Sequence, residues 1–508
     1  MKKFIYVLPI FALSFSACKK GFLDVNTTPN NPVAVPPGLI LPTITTATAY
    51  ANSNDLGRAA SVLVQHTAGV ANQVAAYDVF FLDGAFDNQW NSEIYGGAIN
   101  NMRILIKDYS STSPAFSGIA KLQMAYIFSI ATDLWGDVPY SQAGKGLEFE
   151  TPRFDKQEDI YQGNTSLSIQ SLFDLVKDGL SDLTKPSAIT PNGVSDLVYN
   201  GDLTRWSRMG NALLLKLAIQ ISNKNPALAK STIESVLAGN NFINSNALDY
   251  EVKFGSAVGN RNAIFDFNNN FRTGDMMLSS RLLALSRSLN DTVRLAKFFT
   301  KPNFPPVTGP ARFVAFENGS NAAAPLLSTS VGGVAYIQRS KYNNYLTGTP
   351  EPLISPAAGG QAPIRLITFS QVNFILAEAA LILNTPGSAN TYYQAGITAS
   401  MQKVGMTAAE ITTYFTTNPT VVALSGSTEQ RREQIITQKY ISLIGNGIEA
   451  YNDYRRTGYP ALTLPLNPSG DNPNVIPTRL PYTPAELARN PLAPKPRPKT
   501  DVKVWWAL

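Results

Sequence analysis

SIQSLFDLVKDGLSDL, residues 168–183, is the stretch on which the fold turns. Ile169, Leu172, Phe173, Val176, Leu180 and Leu183 recur every three or four residues and so fall on one stripe. The spacing predicts an amphipathic helix that buries this stripe against a neighbour.

The same period appears on both sides. In IAKLQMAYIFSIATDLW, residues 119–135, Ile119, Leu122, Tyr126 and Ile130 share a face, and Gly136 with Pro139 ends the helix. A third helix is expected over about 204–222, where Trp206, Leu213, Leu217 and Ile221 line one side and Leu214 and Leu215 widen it. Asn225 then reads as an N-cap with Pro226 in the first turn, opening ALAKSTIESVLA. Helical periodicity returns at 369–383, 389–403, 407–416 and 428–444. Thr407 with Glu410 fits a capping box, and Thr428 is the expected cap of the last helix, with Ile436, Tyr440, Leu443 and Ile444 as its buried face. Near the end, Thr483, Pro484 and Glu486 suggest a cap, a first-turn proline and a capping-box partner. Paired helices joined by short turns predict a mostly α fold. The expected form is a tetratricopeptide-like helical-hairpin array, an α-α superhelix, although no strict 34-residue repeat is present. Between 239 and 365 the chain changes to Asn, Gly, Ser and Pro with scattered aromatics, so this loop-rich part is the expected ligand-facing side.

Composition removes several classes of function. The chain has 508 residues, 44% of them hydrophobic and 15% charged, enough for a large buried core. The net charge of +6 is not gathered on one element, so nucleic-acid binding is not expected. Cys18 and His66 are the sole residues of their kinds, which excludes an intrachain disulfide and a Cys/His zinc site. A Ser, His, Asp triad would need His66, which lies in the apolar SVLVQHTAGV and reads as a structural histidine.

Residues 1–17, MKKFIYVLPIFALSFSA, combine a basic start, an apolar run from Phe4 to Phe15 and a small-residue end, the pattern of a secretory signal peptide. Cys18 follows at the position where a bacterial lipoprotein signal places its lipid-bearing cysteine; Phe15 stands where Leu is usual. Acyl chains there would anchor the protein while leaving the remainder soluble. Residues 18–43, dense in Asn, Thr and Pro, read as a lipidated extended tether, and 44–508 as a single helical domain.

Four stretches together resemble the SusD/RagB family of outer-membrane nutrient-binding lipoproteins. They are CKKGFLDVNTTPNNP (18–32), AYIFSIATDLWGDVPYSQA (125–143), FILAEAALIL around Glu378, and QKYISLIGNGIEAYNDYRRTGYP (438–460). The resemblance implies a helical domain with tetratricopeptide-like pairs, set as a lid over a SusC-type TonB-dependent transporter. It also implies glycan ligands, or peptides for some members. Lys19 and Lys20 depart from the acidic residues that favour surface export, but display on the outer face remains the expectation.

Asp133 and Asp137 suit a helix end and a turn better than a glycosidase pair. Arg455 and Arg456 with Glu449 and Asp453 read as an ion-pair cluster fixing the last helix, and Glu378 as a buried hydrogen-bonding group. Asp266, Asn268 and Asn270 open like a calcium loop, but Phe271 and Met277 break it; calcium held by scattered loop oxygens stays open, and no other cofactor or metal is expected. Sugars are held by aromatic faces and amide side chains. Two stretches mix these: AAYDVFFLDGAFDNQW with Tyr77, Phe80, Phe81 and Phe86, and YIQRSKYNNY with Tyr336, Tyr342 and Tyr345. The expected function is capture of oligosaccharides at the cell surface for a SusC-type transporter, without catalysis. The alternatives are a surface glycoside hydrolase, a peptide-binding member of the same family, and a purely structural partner of the transporter.

Overall fold

The computed structural model describes residues 35–302, 312–320, 329–331, 334–336, 339–348 and 359–508. The expected signal peptide, Cys18 and the tether up to residue 34 lie outside the described residues. Within 35–43 the chain is already helical, because α1 (Pro37–Ser53) starts at Pro37. Proline density suggested an irregular tether there, but proline in the first turn has no N–H to leave unpaired and its φ suits a helix.

The first half of the array continues with α2 (Asp55–Leu63), α3 (Asn72–Asp78), a π-helical stretch (Gln89–Ile99), α4 (Asn100–Tyr109) and α5 (Pro114–Trp135). Then come α6 (Gln157–Gln162), α7 (Leu172–Asp182), α8 (Leu203–Gln220) and α9 (Pro226–Gly239). Helices close in sequence pack on one another: α4 on α5, α5 on α7, α7 on α8 and α8 on α9. The stripe that opened the sequence reading lies on α7, where Leu172, Phe173 and Val176 are buried and Ser171 caps the N-terminus by accepting from the Asp174 N–H at 2.9 Å. Gly118 of α5 and Gly179 of α7 let these two backbones touch; a Cβ on Gly118 would sit 2.8 Å from the Gly179 carbonyl oxygen.

The loop-rich part is more regular than its composition suggests. It holds α10 (Ser280–Ser288) and α11 (Thr292–Phe298), short helices whose few apolar residues do not form a long stripe. It also supplies strands to small antiparallel ladders: β1 (Thr67–Gly69) with β5 (Met276–Leu278), and β4 (Tyr250–Val252) with β8 (Ile364–Ile367). Two further ladders join β2 (Val138–Pro139) to β3 (Phe154–Asp155) and β6 (Thr329–Val331) to β7 (Val334–Tyr336).

The second half consists of α12 (Phe369–Ile382), α13 (Ala389–Lys403), α14 (Ala408–Thr417), α15 (Thr428–Ser442) and α16 (Gly447–Thr457), with α17 (Pro484–Arg489) in the closing segment. Here α12 packs on α13 and α15, while α16 returns to pack on α2, so the array closes on its own start. Among the described residues, most buried apolar side chains form one connected cluster reaching from Ile40 to Ala507, and a small second cluster gathers Ala68, Met277 and Phe316. The Thr407–Glu410 capping box is present. Ser427, not Thr428, caps α15, because a box counted from Ser427 meets Gln430, whose side chain can accept the Ser427 N–H, whereas one counted from Thr428 would meet Arg431, which cannot accept. Thr483 precedes α17 without capping it. The Asp87 carboxylate takes the Ala485 N–H instead, and Glu486 accepts from Trp90 and Asn490. Among the described residues, no helix is long and apolar enough to cross a membrane.

A buried charge network ties the halves together. The Glu378 carboxylate on α12 is fully buried and accepts a bidentate pair from Arg456 of α16, at 2.6 and 2.7 Å, and a third bond from Arg432 of α15 at 3.0 Å. Arg456 also reaches Asp453 at 2.9 Å, which pairs with Lys439 of α15. Lys216 of α8 meets Glu449 of α16 at 3.2 Å. Asp133, at the end of α5, accepts from Tyr161, Trp506 and Asn452. Burial pushes the Glu378 carboxyl upward, but Arg456 and Arg432 outweigh it and hold the group at about 2. His66 is buried with its ring nitrogen 3.0 Å from the Tyr440 carbonyl, and burial lowers its pKa to about 3.

Because the folded pKa of Glu378 is depressed, its contribution is present above about 4.5 and is lost as pH falls towards 2. His66 acts in the same direction, losing stability from about 6.5 downward as the unfolded chain takes the proton that the folded chain refuses. Arg456→Met should cost about 3–5 kcal/mol in urea unfolding at pH 7, because it strands the Glu378 charge, and the double change with Glu378→Met should recover much of that loss. An unaltered midpoint for the single variant would refute this role.

Candidate ligand-binding cleft

Three elements converge at the edge of the loop-rich part. α11 ends with Lys297 and Phe298, and an antiparallel bridge between Phe299 and Tyr342 sets the strand-like approach to Asn343–Tyr345. α13 ends at Lys403, followed by Val404 and Gly405. Together they bound an open cleft of about 410 Å³ lined by Lys297, Asn343, Asn344, Tyr345 and Lys403. The volume lies in the range of small-molecule sites.

Tyr345 is half-buried. The Arg365 guanidinium of β8 lies over one face of its ring, 3.6 Å from the centroid, and donates to the Tyr345 carbonyl at 2.9 Å. Phe298 meets the ring edge-on at 5.3 Å. Burial raises the phenol pKa, and Arg365 opposes that rise. The Asn343 side chain is committed to the backbone, donating to Ala296 O at 2.8 Å and accepting from the Asn344 N–H at 2.6 Å. Asn344 is exposed, and its amide has no side-chain hydrogen bond among the described residues.

Lys403 donates to Asp249 and Glu251, each at 2.9 Å, and to the Asn246 carbonyl at 3.3 Å. Asp249 in turn accepts the Phe369 N–H at 2.7 Å, which ties the cleft to the start of α12. Burial lifts the Asp249 carboxyl to about 6 against the pull of Lys403. Among the described residues, no group of three or more His, Cys, Asp or Glu side chains is placed to hold a metal ion.

The structure divides the seven aromatic candidates. Tyr77 is buried and donates to Asp55 at 2.8 Å, with Phe86 stacked on it at 5.4 Å. Phe80 and Phe86 are also buried, each at positive φ, a strained backbone for a bulky residue that their packed rings hold in place. Tyr342 is buried against Phe299 at 5.1 Å. These four rings belong to the core and present no face to a ligand, which corrects their reading as a binding platform. Tyr336 lies on β7, with its side chain outside the described residues. Phe81 is 54% exposed and Tyr345 lines the cleft. Phe271, the residue that breaks the calcium-loop pattern, is 74% exposed. Lys297 and Lys403 were missed, since each sits at the C-terminal end of its own helix and nothing in the sequence joins them. Asn343 and Asn344 fall inside the stretch YIQRSKYNNY, whose mixture of amide and aromatic residues did mark the place.

Fold and cleft define a helical-hairpin scaffold that presents an open site of one aromatic ring, amides and lysines. The family model described as "Starch-binding associating with outer membrane", SusD-like, matches residues 29–483, and the chain belongs to the SusD-like family. Solved structures agree in fold. A chitin-binding protein superposes with a TM-score of 0.73 at 24% identity over 93% of this chain and 100% of that one. A SusD homologue from Bacteroides uniformis gives 0.71 at 23% identity, covering 93% and 99%, and a chitin-binding SusD homologue from Flavobacterium johnsoniae 0.70 at 21%, covering 93% and 97%. No curated protein matches the chain by sequence.

The placement of the aromatics is checked by urea unfolding. Tyr77→Phe, which leaves Asp55 without its donor, should cost about 1.5–3 kcal/mol, and Phe86→Ala about 3–5 kcal/mol. Phe81→Ala should stay within about 0.5 kcal/mol of the parent. A costly Phe81 or a silent Phe86 would contradict the assignment.

Proposed function

We propose that this chain is a lipid-anchored outer-membrane protein that captures oligosaccharides at the cell surface and delivers them, uncleaved, to a SusC-type TonB-dependent transporter. The observation that carries the reading is the open cleft in which the Tyr345 ring and the free Asn344 amide stand together. A sugar ring offers C–H faces for the aromatic and hydroxyls for the amide. Membership of a family described as starch-binding and outer-membrane-associated supports it, as do the chitin-binding structural relatives. Cys18 behind the signal-like Ser16 and Ala17 supplies the anchor, and the lipid holds the array at the membrane.

The arrangement of carboxylates around the cleft supports capture without cleavage. Glycoside hydrolysis generally needs two, one as acid and one as base or nucleophile. The described lining has none, and Asp249 and Glu251 behind it are both engaged by Lys403. The reading calls on no metal or cofactor.

The test is a glycan and peptide array probed with the chain from Lys19 onward, combined with chromatography of the incubated ligands. Micromolar or weaker binding to glycans is expected, with no shortened products, and Tyr345→Ala should weaken it about tenfold, equivalent to ~1.4 kcal/mol. Cleaved products would move the chain to the hydrolases, and peptide binding without glycan binding would move it to the peptide-binding members. Purification of the lipidated protein from outer membranes should bring a large barrel transporter with it.

A further inference from the structure

We infer that the Tyr345 cleft selects acidic saccharides, those carrying a carboxylate or a sulfate ester. The inference rests on the capture reading and adds a ligand class to it. Among the described residues, the lining holds two lysines and no acidic side chain. The lysines differ in what surrounds them. Lys403 is neutralised from behind by Asp249 and Glu251, at 2.9 Å each, and Glu251 also lies 3.7 Å from Arg365. Lys403 and Arg365 therefore already face carboxylates, which leaves Lys297 as the lining cation outside any ion pair among the described residues.

Lys297 makes no ion pair among the described residues. Glu410 is near enough to feel its charge, but the Glu410 carboxylate is taken up by the Thr407 N–H at 2.7 Å and the Thr407 hydroxyl at 3.0 Å, and it forms no contact with Lys297. Lys297 also lies in the last turn of α11, where the carbonyl end of the helix favours a cation. A lysine that only served the helix end would not need to share a wall with Tyr345 and Asn344. Here all three line one open space, so a ring stacked on Tyr345 would bring its acidic substituent within reach of the ammonium group. The bond formed would be charge-assisted, and it would be weakened by salt because the cleft is open to water.

The experiment is isothermal titration of the chain from Lys19 onward with two matched pairs of probes. One pair is an oligogalacturonate and its methyl ester; the other is a sulfated galacto-oligosaccharide and its desulfated form. The acidic member of a pair should bind about tenfold more tightly than its neutral counterpart, with an advantage that shrinks as salt rises. Lys297→Gln should bring the acidic and neutral members of each pair to equal affinity, and Lys297→Arg should restore the difference between them. Equal affinities within both pairs, or a Lys297→Gln variant that keeps the preference, would overturn the inference and leave the capture reading standing. Binding of no saccharide of either kind would overturn both.

Discussion

The clamp of Arg456 and Arg432 on the buried Glu378 is the constraint on which the rest of the structure depends. A carboxylate taken wholly out of water is tolerated only where its lone pairs meet charged donors of good geometry. Here those donors come from two other helices, α15 and α16, so the seat of α12 is fixed by both. Through Asp453, Lys439, Glu449 and Lys216 the same charges extend to α8, and Asp133 adds α5, Tyr161 of α6 and Trp506 near the chain's end. Helix pairs in an apolar array could slide by a turn at modest cost. A network of directional bonds allows one register, because a slip of 5.4 Å would leave several buried charges without partners.

This fixed register is what makes the cleft a defined site. Lys403 closes α13, which packs on α12, while Asp249 binds the first N–H of α12 and Lys403 together. β8 runs directly into α12 and carries Arg365, the guanidinium lying on Tyr345. The Tyr345 ring therefore hangs on elements set by the buried charges, although its own segment is only a single helical turn, Asn344–Thr347. Rigid helices fix the position, and the ends of helices and one short turn supply the polar groups.

Much of this was legible from residue spacing alone. The stripes on α5, α7 and α8 and the Asn225–Pro226 start identified the array, because burial of one helix face imposes a period that no other structure shares. The clamp was legible in part, since a glutamate amid FILAEAALIL can persist there only if it is bonded. The site was harder to read for a physical reason: aromatic residues in a polar loop have the same signature whether they pack inward or outward. Tyr77, Phe80, Phe86 and Tyr342 turned inward, Phe81 and Tyr345 did not, and the decision lay in contacts with Asp55 and Phe299 that are remote in sequence. Helix α1 was obscured by its own opening prolines. Lys297 and Lys403 meet only because α11 and α13 end at the same place.

Amide hydrogen exchange under saturating oligosaccharide asks whether this charge-locked scaffold holds a saccharide at the Tyr345 cleft. The account predicts slowed exchange at 343–348 and around 403–406, with the amides of α5, α8 and α12 unchanged between free and bound protein. Protection centred on the Phe81 and Phe271 loops, with none at 343–348, would contradict it.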